Sequence, residues 1–255
     1  MKIWKTTALG LALAYSMPSL AADFSFDRPG SGFGTGITPV GHLAWEQSLP
    51  TVTYNKESTS SGFEKTTTVQ GDMLLRTGLA KDWELQVGWD GPAWMKVKSP
   101  AGKFEDHGLG DVSVGVKKAI DLQDDKMTMA VLGRVSFATG NQNFTENHDV
   151  YTLGSTVAYQ QNDILNTSIT MYYEVEDGDW SVTAVPTINY KLSNKWSGYS
   201  EFVYRKKESQ ADHTSLATGL IYALNARTQL DASVGFGLSG DAPDYFGGLG
   251  VAFLF

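Results

Sequence analysis

Residues 68–91 read TVQGDMLLRTGLAKDWELQVGWDG. Val69, Met73, Leu75 and Leu79 share one parity, while Gln70, Asp72 and Arg76 share the other. After Lys81-Asp82 the alternation resumes, with Trp83, Leu85, Val87 and Trp89 against Glu84, Gln86 and Asp90. A two-residue period is that of a β-strand. Two such runs separated by two residues form a tight antiparallel hairpin.

The same period extends in both directions. It predicts twelve strands, at 43–55, 66–80, 83–97, 108–120, 127–139, 149–160, 164–176, 180–192, 196–207, 213–224, 228–239 and 246–255. Short breaks at 81–82, 121–126, 161–163, 193–195 and 225–227 alternate with connections at 56–65, 98–107, 140–148, 177–179, 208–212 and 240–245. Of the second set only 177–179 is as short as the three-residue breaks of the first. Long loops alternating with short turns, and an even strand count, are expected of an outer-membrane β-barrel.

A lipocalin-like cup or a jelly roll also alternates, but its exterior must be charged. Lys, Arg, Asp and Glu make up 19% of this chain, thin for a surface in bulk water. The polar parity is mostly Gly, Ser, Thr, Asn and Gln, which suits a lumen. Trp45, Trp83, Tyr190, Trp196, Tyr222 and Phe255 lie near the lower strand ends, and Phe137, Tyr173, Trp180 and Tyr204 near the upper ends. Two such belts are the interfacial girdles of a membrane barrel. The last nine residues, GGLGVAFLF (247–255), place Leu249, Val251, Phe253 and Phe255 on one parity and read as the closing strand. Closure is obligatory in lipid, where an unpaired strand edge leaves unsatisfied amides. The expected fold is all-β: a single transmembrane antiparallel β-barrel of about twelve strands.

Lys2 and Lys5, the apolar stretch TTALGLALAYSM and the small residues of PSLAAD have the form of a secretory signal peptide, residues 1–21, cut after Ala21. The expected location is the Gram-negative outer membrane. Losing two lysines moves the formal charge from -8 to -10, which argues against a nucleic-acid partner. The absence of cysteine leaves neither disulfide nor thiolate metal site. Residues 22–42 are rich in Gly and Pro and aperiodic, an irregular segment that plugs the barrel or leads in from the periplasm. Residues 43–255 are the barrel.

DRPGSGFGTG at 27–36, followed by Gly41 and Glu46, resembles the opening of a bacterial outer-membrane family named for the MetA pathway of phenol degradation. Asp27, Arg28 and Pro29 match its Asp-Arg-Pro, while the Gly-rich continuation departs. GLGDVSVGVKKAI at 108–120 resembles the family's Gly-x-Gly-Asp strand, and Phe137-Ala138-Thr139-Gly140 stands where Pro-Thr-Gly is common. DASVGFGLSGDAPDYFGGLGVAFLF at the end is the closest match. The resemblance implies an outer-membrane channel or transporter, with no catalytic residue. The expected function is passive uptake of small solutes, aromatic or hydrophobic compounds among them. A closed structural or adhesive barrel and a lipid-modifying enzyme are the alternatives.

Parity alone gives a lumen ladder. Glu46, Arg76, Glu84, Lys117, Lys191 and Asp231 fall low, Asp72, Arg134 and Glu201 at mid-height, and Asp90, Asp111, Glu174 and Arg205 high. Mixed signs suggest cross-barrel or neighbouring-strand ion pairs, with Arg134, Asp72 and Glu201 as a candidate constriction. Arg28 could reach a lower-rim acid such as Glu46 or Glu84. Gly88, Gly115, Gly154, Ala158, Gly219, Gly235 and Gly237 would leave room for a path. An enzyme would need a base beside a nucleophile, and His148 with Thr152 or His213 with Ser215 are the available pairs. No cofactor is expected. The expected partners are outer-membrane lipids and lipopolysaccharide, a small solute, and the barrel-assembly machinery, which would read the strand ending at Phe255.

Overall fold

The computed structural model describes residues 24–255; the signal peptide assigned to residues 1–21 lies outside the described residues. Fifteen strand segments make one sheet. They are β1 (Leu43–Thr59), β2 (Gly62–Gln70), β3 (Met73–Ala80), β4 (Trp83–Trp89), β5 (Pro92–Ser99), β6 (Gly102–Leu109), β7 (Val112–Ile120) and β8 (Met127–Phe137). There follow β9 (Val150–Gln160), β10 (Leu165–Glu176), β11 (Asp179–Lys191), β12 (Trp196–Lys207), β13 (His213–Asn225), β14 (Thr228–Ser239) and β15 (Tyr245–Leu254). Each of β2–β3, β4–β5 and β6–β7 is one barrel strand interrupted at 71–72, 90–91 or 110–111, so the barrel has twelve strands. β15 pairs antiparallel with β1, from Ala44 opposite Leu254 to Tyr54 opposite Tyr245, and seals the cylinder.

The apolar parity faces outward. Val114, Leu153, Ile169, Leu220, Val234 and Leu249 are all exposed, Leu153 and Val234 to 60%, as lipid-facing positions should be. Inward lie Glu46, Arg76, Glu84, Lys117, Thr156, Thr170, Glu201 and Asp231, all buried. Both aromatic belts are present. At the lower end the rings of Trp45 and Phe253 are 6.0 Å apart and those of Trp196 and Tyr222 4.7 Å apart. At the upper end Tyr54 and Tyr245 are 6.4 Å apart, and Phe137, Tyr173 and Trp180 are exposed nearby.

The upper connections differ from expectation at two places. Residues 56–65 and 98–107, read as loops, are mostly strand: β1 runs to Thr59 and β2 begins at Gly62, β5 runs to Ser99 and β6 begins at Gly102. Here the upper part of β1, with β2, β5 and β6, continues past the wall as a four-stranded paddle. Beyond Val69 and Trp94 both of its faces are wet, so that part of the sequence carries no apolar alternation to announce a strand. The paddle begins where three neighbouring strands break together, at Gly71-Asp72, Asp90-Gly91 and Gly110-Asp111. The break is sterically specified at Gly91. Its φ is +72° and a Cβ there would lie 2.0 Å from the Gly71 carbonyl oxygen, so only glycine fits.

Candidate functional site

Residues 24–38 run through the lower lumen and touch the inward faces of strand after strand, and residues 39–41 emerge exposed at the lower end. The Asp27 carboxylate accepts the Gly34 amide at 2.9 Å and folds 27–34 into a compact turn. Glu46 of β1 accepts the Asp27 and Arg28 amides at 3.1 and 2.8 Å. The Arg28 side chain reaches Asp231 of β14 at 3.2 Å and Asp72, between β2 and β3, at 3.3 Å. Glu201 of β12 accepts both the Ser31 amide, at 3.1 Å, and the Ser31 hydroxyl, at 2.7 Å. The Tyr199 and Tyr172 hydroxyls donate to the carbonyls of Pro29 and Ser31. Phe33 then packs against Ala130 and Leu132 of β8 and the ring of Tyr172. Thr35 hydrogen-bonds Thr128, and Thr38 donates to Glu84 through both its amide, at 2.6 Å, and its hydroxyl, at 2.7 Å.

Behind this segment sits a fully buried ion cluster. Arg76 of β3 pairs with Glu46 and Glu84, each at 2.8 Å, and with Asp27 at 3.4 Å. Its guanidinium also donates to the carbonyls of Ser25 and Gly36. Lys117 of β7 lies 3.2 Å from Glu84 and 3.5 Å from Asp27. Charges out of water are tolerated only when paired and hydrogen-bonded, and here the backbone of residues 25–36 supplies part of the pairing. The β-strand parity sets each of these side chains inward; the aperiodic segment decides which of them meet.

Several expectations are corrected by this geometry. Arg134, Asp72 and Glu201 do not form a common constriction. Asp72 is held by Arg28, Glu201 by Ser31, and Arg134 stands higher, in the upper cavity. The reason is that residues 28–31 lie among these positions and offer closer partners. The Arg28 side chain does reach a lower-rim acid, Asp231, and Asp72 besides, while Arg76 occupies both Glu46 and Glu84. Several small lumen positions are seats rather than free space. A Cβ at Gly154 would meet Phe33 at 2.8 Å, one at Gly219 would meet Tyr199 at 2.5 Å, and one at Gly235 would fall on Phe246. Gly250, which the reading of the lumen had not singled out, lies beneath the Arg28 guanidinium. Lys191 is exposed at the lower rim, outside the cluster.

Above the segment is a cavity of about 250 Å³ lined by Asp90, Ser113, Arg134, Glu174, Arg205 and Lys207 among others. Arg205 pairs with Glu174 at 3.4 Å and Lys207 with Glu176 at 2.8 Å. Asp111 also borders it, yet its carboxylate is occupied. It accepts the amides of Thr139, Gly140 and Glu146 and the Thr145 hydroxyl at 2.7–2.9 Å, and so anchors the loop at 138–149. The histidines are elsewhere. His148 lies 3.4 Å from Asp177 between two upper loops, and His42 contacts the Phe255 carbonyl oxygen at 2.6 Å. Among the described residues no group of three or more His, Asp or Glu is placed to hold a metal ion.

Solved structures share this architecture. An outer membrane channel from Pseudomonas putida F1 superposes with a TM-score of 0.69 at 14% identity, covering 85% of this chain and 96% of the other. The KdgM porin gives 0.55 at 11% identity over 84% and 99%, and the NanC porin 0.54 at 13% over 81% and 99%. At such identities the likeness carries the fold, a closed outer-membrane barrel of the porin and channel type. No curated protein matches the chain by sequence. Over residues 26–255 the sequence matches, and the chain belongs to, the family described as "Putative MetA-pathway of phenol degradation".

Proposed function

We propose that this outer-membrane barrel passes small solutes passively and that residues 24–42 form its constriction. The observation that supports this is the kind of contact holding the segment. Apart from the seat of Phe33, the Phe24 ring against Arg76 and the backbone bridge from Val40 to Gly78, the contacts are hydrogen bonds and ion pairs to side chains of the wall. Contacts of this kind can be exchanged for water as the segment shifts, at a net cost of about 1.5–3 kcal/mol for each hydrogen bond to a charged group; an apolar core filling the lumen has no such replacement. Arg134, Asp90, Glu174 and Arg205 then form a charged vestibule above the constriction.

The aromatic character of the solute rests on the family description alone. The vestibule's charge favours hydroxylated or ionised rings over hydrocarbons, since an apolar solute gains nothing from displacing water around such groups. In a liposome-swelling assay with the purified mature chain, phenol and benzoate should enter several-fold faster than disaccharides. Toluene should gain no advantage over barrel-free liposomes. Equal entry of all of them would remove the solute preference.

We further assign recognition by the barrel-assembly machinery to β15 and its terminal Phe255. The ring lies 6.1 Å from that of Phe253 on the exposed lower rim, where a docking protein could read it. Phe255→Ser should lower outer-membrane yield several-fold while leaving refolding into detergent micelles unchanged. A matching loss in both would make the effect one of stability instead.

A further inference from the structure

The paddle carries a charge pattern that passage through the lumen does not use. Register places Lys56 opposite Lys65, Lys65 opposite Lys98, and Lys98 opposite Lys103. Directly opposed residues share a face, so four lysines form one row across β1, β2, β5 and β6, with neighbours about 5 Å apart. Like charges placed in this way are destabilising, and all four are exposed. Lys96, in the row beneath, is paired with Glu105. The four above it have no carboxylate in ion-pair range among the described residues. Lys56 is held instead over the ring of Phe63, 3.9 Å from its centre. The row stands in a chain whose net charge is -8.

The face on which the row lies identifies the partner. Four residues nearer the membrane, and so roughly 13 Å below, Val52, Val69 and Trp94 of β1, β2 and β5 form an apolar row on the same side, which His107 of β6 ends. Val52 belongs to the lipid-facing surface and is exposed, while Glu57 and Glu64 point to the opposite face. The lysines therefore overhang the boundary of the outer leaflet, on the side toward neighbouring lipid and away from the lumen. The outer leaflet of this membrane is built of lipopolysaccharide, whose phosphates are ordinarily bridged by divalent cations. A lysine ammonium is a strong phosphate partner as a point charge, and basic residues beside an anionic leaflet are drawn to it.

We infer that Lys56, Lys65, Lys98 and Lys103 clamp the phosphates of a lipopolysaccharide molecule against the outside of the paddle, in the place of bridging divalent cations. The test uses the mature chain purified from outer membranes, washed with a divalent-cation chelator, and assayed for lipopolysaccharide per barrel. The native protein should retain its lipopolysaccharide through the wash. The K56Q/K65Q/K98Q/K103Q variant should retain at least tenfold less, and the corresponding four-arginine variant should behave as native. Heat-modifiable mobility checks that each variant is folded. Delipidated native protein should rebind lipopolysaccharide, and should bind its dephosphorylated form and soluble oligogalacturonate at least tenfold more weakly. Equal retention by the folded glutamine variant would overturn the assignment. So would preference for the soluble polyanion, which would make the row a capture site for solutes.

Discussion

Removing residues 24–36 from the mature chain should raise single-channel conductance in planar bilayers several-fold. The deletion takes out Arg28, Ser31 and Phe33, which together bridge β14, β12 and β8 across the lumen. It need not unfold the barrel. Losing Asp27 leaves Arg76 and Lys117 facing Glu46 and Glu84, two cations against two carboxylates. Asp72 and Asp231 lose Arg28 but gain water in its place. A gentler variant keeps the segment and disturbs its seat: a side chain at Gly154 must push Phe33 away, because even a Cβ would stand 2.8 Å from its ring. Gly154→Val should therefore shift conductance in the same direction as the deletion. If both variants fold and conduct as the native chain does, the segment is not the constriction. If native and variants alike are silent, the barrel is a closed structural one.

Arg76→Met should be the most damaging single substitution in the lumen. The guanidinium is completely buried and serves Glu46, Glu84 and Asp27 together with two plug carbonyls. Without it Lys117 alone faces three carboxylates. Removing one partner of a buried ion pair costs about 3–5 kcal/mol. The expected readout is a lower urea midpoint for the barrel refolded in lipid. Replacing Glu46 and Glu84 by glutamine in the Met variant should restore much of the loss, since the uncompensated charge is then gone. A native midpoint for Arg76→Met would show that water reaches the cluster and screens it.

The two outcomes separate function from stability. The deletion removes the segment and leaves Arg76 and Lys117 matched by Glu46 and Glu84, whereas Arg76→Met keeps the segment and leaves its anchoring carboxylates short of a cation. A channel opened by both, with stability lost only in the second, would place the hinge of any plug movement at the Arg76 cluster.

Much of this protein was legible along the chain. Lipid on the outside imposes a two-residue apolar period on every strand, and that period gave the strand count, the inward set of charges and the closing role of 247–255. Aromatic belts marked the strand ends for the same reason. The period fell silent where its cause was missing. Beyond Val69 both faces of β2 are wet, as are those of β6, so the period does not mark Gly62–Gln70 and Gly102–Leu109 over their full lengths. Nor could parity choose partners. It placed Arg134, Asp72 and Glu201 in the lumen but fixed neither their heights nor the course of residues 24–42, whose glycines carry no periodic signal. Only the closed cylinder, with its cross-strand register and the aperiodic segment laid inside it, decided that Arg28 meets Asp231, that Ser31 meets Glu201, and that four lysines stand in one row. Parity is a property of neighbouring residues in one strand, whereas pairing depends on the register between strands far apart in sequence.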